Sequence, residues 1–146
     1  MTTKNTTSTM LFSIPKAVTM THHAEAKACM ATWVALSSPH FRDAVTRGLS
    51  ECGRLGAKSW IVNLTGKDPG VPKQADFAWV SSDGLDIAKR NGVRAVINVL
   101  GASKVAAMGA KRFSKIVTEG GISTYECTSV ADALQLAADV AAGRAA

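Results

Sequence analysis

Apolar residues in this chain come in short runs, and longer amphipathic stretches separate them. Residues 10–14 and 17–21 read as strand segments interrupted by Pro15, which suits an edge strand or a kink. A polar turn over residues 22–25 leads to a second strand at 27–36, and the two are expected to pair antiparallel. Ser38-Pro39 then marks a helix start, with Ser as N-cap and Pro at the first helical position. This helix is predicted to run to Cys52 and stop at Gly53. At about 100° per residue Phe41, Ala44, Val45, Gly48, Leu49 and Cys52 share one face, and charged residues take the other.

Residues 59–64 read as a buried strand. A loop with two glycines and two prolines follows, at 66–72. A helix is predicted from near Pro72 through Trp79 and Val80, broken at Ser82-Asp83-Gly84 and resumed over 85–90. Residues 93–100 are a continuous apolar strand apart from Arg94 and Asn98. Ser103 caps a helix to Glu119. Residues 122–127 form the last strand, and Ser129 with Asp132 opens the last helix. The order is β-β-α-β-α-β-α-β-α. It predicts an α/β fold with a mixed, largely parallel sheet that begins with an N-terminal β-hairpin.

Length and composition fit that reading. A chain of 146 residues that is 47% apolar and 19% charged is expected to be one domain with a full core. Residues 1–9 are polar and Thr-rich and read as a disordered tail, leaving 10–146 as the single domain. No apolar leader stands in that tail, and no apolar run approaches a membrane span, so a cytoplasmic protein is expected. Cys29, Cys52 and Cys127 are odd in number and none stands in a CxxC, which points to free thiols in a reducing compartment.

The chemistry-bearing residues are sparse. His22-His23 with Glu25 lacks further ligands at metal spacing and reads as a solvated turn. Cys29 and His40 make a nucleophile pair only on paper. Gly101-Ala102-Ser103-Lys104 follows a strand and opens a helix, but its spacing is not that of a phosphate loop, and Ser103 is the N-cap. Trp33, Trp60 and Trp79 read as core, with an apolar ligand pocket as the other reading. Catalytic residues, cofactors and metals are not predicted.

Trp60-Ile61-Val62-Asn63-Leu64-Thr65-Gly66 resembles the strand ending in Asp-Leu-Ser-Gly of STAS/SpoIIAA-like domains. A broader layout resembles the lesser-studied SpoIIAA-like group: Trp33 at a strand end, Phe41-Arg42 opening a helix, Asp76-x-x-Trp79, Gly92-Val93 opening a strand, and an aromatic-plus-Ser segment before an Ala-rich helix (residues 125–133). The resemblance spans about residues 17–142 and implies a STAS/SpoIIAA-like fold that binds protein partners in bacterial regulation or localisation. It places Asn63 and Thr65 at a partner-facing loop. Two departures matter. Where the family carries Asp-Ser-x-Gly, this chain reads Gly70-Val71-Pro72-Lys73-Gln74, so a phosphate switch has no acceptor there. The family's Asp is replaced by Asn63.

Charge adds one more candidate. Seventeen Lys and Arg against eleven Asp and Glu give a net charge of +6. Taking about 100° per residue, Lys111 and Lys115 fall within about 20° of Lys104, with Met108 and Arg112 beside them. Val105, Phe113, Ile116 and Val117 are expected on the packing side. This stripe holds no acid between Lys104 and Lys115, and it is predicted to contact an acidic protein partner. Nucleic acid is not the expected partner, and a homodimer is compatible with the chain. A module binding a small apolar ligand or lipid, in a pocket between sheet and helices, is the alternative function.

Overall fold

Six strands form one sheet in the order of the sequence, as the computed structural model of residues 8–144 shows. β1 (Ser8–Ile14), β2 (Val18–His23) and β3 (Ala28–Trp33) form an antiparallel meander. β4 (Ser59–Leu64), β5 (Ala95–Leu100) and β6 (Ser123–Cys127) continue it in parallel. The α/β class, the mixed sheet and the antiparallel start are as the pattern of residues predicts. The interrupted first strand is in fact two strands. Pro15 and Lys16 lie in the turn between them, Lys16 at φ 63°, and the Ala17 N–H closes it on the Ile14 carbonyl at 3.0 Å. β1 begins at Ser8, so Ser8 and Thr9, read with the tail, join the sheet; residues 1–7 lie outside the described residues.

The helices follow the strands in turn. α1 (Phe41–Leu55) links β3 to β4. α2 (Gln74–Trp79), a π-helical turn (Val80–Gly84) and α3 (Leu85–Arg90) link β4 to β5. α4 (Lys104–Glu119) links β5 to β6, and α5 (Val130–Ala141) follows β6. In a parallel sheet whose strands lie in sequence order, right-handed crossovers put every connecting helix on one face. The core divides that way. One cluster joins Phe41 and Leu49 of α1, Leu85 of α3 and Ala110 and Val117 of α4 to Trp33, Trp60, Val62 and Val96 of the sheet. The other joins Ala133 and Ala137 of α5 to Met30, Ile61, Ile97 and Val99.

Two helix boundaries depart from the sequence pattern. α1 starts at Phe41 rather than Pro39, because Ser38 turns on itself and its hydroxyl accepts the His40 N–H at 3.1 Å. It also continues through Gly53 to end at Gly56, whose φ of 71° makes the stop. The expected break at Ser82-Asp83-Gly84 is a π-turn in a continuous helix. The Ser81 hydroxyl donates to the Ala78 carbonyl at 2.8 Å, and that of Ser82 donates to Ala78 and Trp79, both at 3.3 Å. Hydroxyls that take up carbonyls of the preceding turn loosen the ladder without ending it.

Candidate functional site

The basic stripe sits where the wheel places it. Lys104, Met108, Lys111, Arg112 and Lys115 are all exposed on α4, and Met108 is 73% accessible. Ser103 caps the helix by accepting the Ala106 N–H at 3.1 Å. The buried side is built differently from the expected one. Ala106, Ala110 and Val117 face the core, while Val105 is 57% exposed and joins Met108 on the outside. Small residues let the helix lie close to its support, so the larger Phe113 and Ile116 reach in only from the flanks. Arg112 is not free: its guanidinium lies 4.2 Å from the centre of the Phe77 ring. None of the ion pairs among the described residues involves α4.

Beside Met108 runs a groove of about 550 Å³, walled by Val71, Pro72 and Phe77 on one side and Val105, Met108 and Arg112 on the other. It forms because α4 presses against the loop before α2. A Cβ on Gly109 would stand 2.6 Å from Val71 Cγ1, so glycine sets how near the two pass.

Asn63 does not belong to that surface. It alternates with Val62 and Leu64, which face the three-helix side, so its side chain turns to the opposite face and is buried. There Asn63 Oδ1 accepts the Thr65 N–H at 3.1 Å and the Thr65 hydroxyl at 2.7 Å, while its amide nitrogen donates to Thr32 Oγ1 at 3.4 Å. These bonds make the residue a turn builder. Thr65 is exposed and lies at the same end of the sheet as the start of α4. A Cβ on Gly101 would come within 2.8 Å of Thr65 Cα.

The scattered motif residues Trp33, Phe41, Arg42, Asp76 and Trp79 come together. The Trp33 and Phe41 rings stack at 5.3 Å, and Trp79 meets Phe41 edge-on at 6.4 Å. Arg42 Nε donates to Asp76 Oδ1 at 2.8 Å and Arg42 Nη2 donates to the Ala75 carbonyl at 3.2 Å. Asp76 is 7% exposed, so this ion pair pins α1 to α2 with one partner largely out of water. The Phe41-Arg42 and Asp76-x-x-Trp79 motifs are the sequence signal of this cluster, and the fold joins them.

Beneath the cluster, between the sheet and α1, α3 and α4, lies an apolar cavity of about 70 Å³. Trp33 and Trp60 line it, with Leu49, Leu85 and Phe113. Asn98 of β5 also lines it and is 0% exposed. Its amide nitrogen donates to Ser114 Oγ at 2.8 Å, and its Oδ1 has no partner.

The remaining candidates stand apart. Cys29 and Cys52 are buried against each other. Their shared hydrogen bond lowers the Cys29 pKa and, with burial, pushes the Cys52 thiol far up. His40 is exposed at the start of α1. His23 Nε2 lies 2.9 Å from the Thr21 hydroxyl. No group of three or more His, Cys, Asp or Glu gathers at metal distance among the described residues. No helix among them is long and apolar enough to cross a membrane.

Comparison with protein-family models, with curated proteins and with solved structures finds no match for this chain.

Proposed function

We propose that this chain is a non-enzymatic protein-interaction module of the STAS/SpoIIAA-like type, acting in bacterial regulation or localisation and docking an acidic protein segment along α4. The six-strand topology with its antiparallel start is compatible with that family. The observation that carries the reading is the pairing of exposed apolar and basic groups. Val105 and Met108 stand out from α4 among Lys104, Lys111, Arg112 and Lys115, beside the Val71–Pro72–Phe77 wall. Among the described residues the exposed large apolar side chains are Met10, Val34, Val105 and Met108. Two of the four share one basic helix. An acidic amphipathic segment satisfies both demands, burying its apolar side in the groove and neutralising the lysines at the rim. Thr65 stands at the edge of this surface; Asn63 shapes the loop from behind.

The test compares the parent with the Lys111→Glu/Lys115→Glu variant. A partner captured from the native cell on the parent is titrated into both by calorimetry. Affinity should drop by at least tenfold in the variant and should fall with added salt in the parent, because screening weakens attraction between exposed opposite charges. The two thermal midpoints should agree, since both lysines are exposed. Equal affinity for the two proteins would reduce the stripe to a solvated face.

A further inference from the structure

The cavity beneath Trp33 and Trp60 holds a buried amide with one unpartnered end. Asn98 lies in the middle of a strand that is otherwise apolar, Ala95–Leu100, and is wholly buried. Its neighbours Ile97 and Val99 belong to the α5 face, so Asn98 points into the three-helix side, where the cavity is. One end of its amide is bonded to Ser114 and the other has no partner. In either orientation of the amide the count is the same: one end bonded, one end bare. A bare amide end in an apolar interior is costly unless something meets it.

Water is a poor candidate for that role. A buried water usually makes about three hydrogen bonds. Among the residues lining the cavity, only Asn98 and the indoles of Trp33 and Trp60 carry a hydrogen-bonding side chain. Size narrows the choice further. The volume of about 70 Å³ is less than half of the about 150 Å³ at which an apolar protein cavity takes up benzene. An acyl chain has no room there.

We infer that this cavity is a binding site for a small aliphatic alcohol, of about two to four carbons, whose hydroxyl meets the free end of Asn98 while its carbons contact Leu49, Leu85 and Phe113. A hydroxyl both donates and accepts, so it satisfies the amide in either orientation. The route in passes the π-turn Val80–Gly84, two of whose residues, Val80 and Gly84, line the cavity. That turn gives this wall a helix ladder already loosened by Ser81 and Ser82.

The probe is 1-propanol, with ethyl methyl ether as a control of similar size that lacks the O–H. Binding is read from methyl resonances in two-dimensional NMR and from the fluorescence of Trp33 and Trp60. The parent should show saturable shifts at Leu49, Leu85 and Val96 with 1-propanol, and about tenfold weaker binding of the ether. Asn98→Ala, which enlarges the cavity while removing the amide, should bind 1-propanol about tenfold more weakly. Ala110→Val fills the cavity and leaves Asn98 and Ser114 in place; it should fold and lose binding altogether. Absence of saturable shifts in the parent would overturn the site. Equal affinity for alcohol and ether, or undiminished affinity in Asn98→Ala, would overturn the role of Asn98. Neither result bears on the lysine face of α4, which the charge-reversal variant tests by itself.

Discussion

The two faces of the sheet are packed on different terms. Under α5 the contact is made of Ala133 and Ala137 against Ile61, Ile97 and Val99, all five fully buried. Under α1, α3 and α4 the residues are larger and the fit is incomplete, with an apolar cavity and one unpaired amide. A single helix can settle onto a sheet until it meets it. On the other face α1 is held to α2 by an ion pair and to β3 by an aromatic stack, and α4 is held to the loop before α2 by a close glycine contact, so the three helices cannot all settle at once. The loosely filled face is also the one whose helix α4 carries the basic groove on its outer side.

Leu49→Asp should have the largest effect. Leu49 is buried beside the cavity, and a carboxylate there has no partner, so the change costs on the order of 5 kcal/mol, comparable to the whole stability of a domain. Circular dichroism should show an unfolded chain. A cooperatively folding variant would mean that the cavity already admits enough water to solvate a charge, and the contrast between the faces would be one of wet and dry.

The same substitution on both faces gives a sharper test. Ala137→Val adds two carbons where none fit and should destabilise by about 1–3 kcal/mol. Ala110→Val adds them beside the cavity. It should gain about 1.6 kcal/mol from two buried carbons and lose about 0.6 kcal/mol in helix propensity. The urea midpoints should therefore move in opposite directions. Midpoints that fall together would show that the two layers are equally tight.

The smallest effect concerns pH. His23 shares the odd-numbered side of β2 with Thr19 and Thr21, away from Val18 and Met20 of the three-helix core. Burial, and then the neighbouring His22, lowers its pKa from 6.5. The unfolded chain therefore takes up a proton more readily than the fold does. Stability from this group is complete above about pH 6.5 and declines as pH falls toward the folded-state value. His23→Gln should flatten that slope between pH 5 and 7 in chemical denaturation. An unchanged slope would assign it to carboxylates elsewhere.

Much of this architecture is legible in the residues, for reasons that also mark the limits. Strand–helix alternation follows from hydrophobic period, which is local. So are the caps Ser103 and Ser129, each placed where its hydroxyl accepts a backbone N–H. The basic stripe is legible too, because the face that a charge takes on one helix depends on that helix alone. The buried side of α4 was harder to read, because a wheel weights large apolar residues and the packing chose alanines. The neighbours of Asn63 resemble a partner-binding loop and so suggest a surface contact, whereas strand parity turns it inward. The Arg42–Asp76 pair joins residues far apart in the chain, and no period reports that. A cavity is what three helices leave unfilled, so it is written in no single segment.

Because every strand pairs only with its neighbours in sequence, the sheet can be laid down in the order of synthesis, from β1 toward β6. Each new strand finds an edge already formed, but from β4 onward it reaches that edge only after a crossover of more than twenty residues has closed, which slows each step. One surface does not share in this. Met30, Ile61, Ile97 and Val99 take their places strand by strand, yet their cover is α5, which follows all six strands. The α5 layer is therefore sealed after the three-helix layer. Until Val130–Ala141 has left the ribosome, the nascent chain carries a bare apolar sheet face.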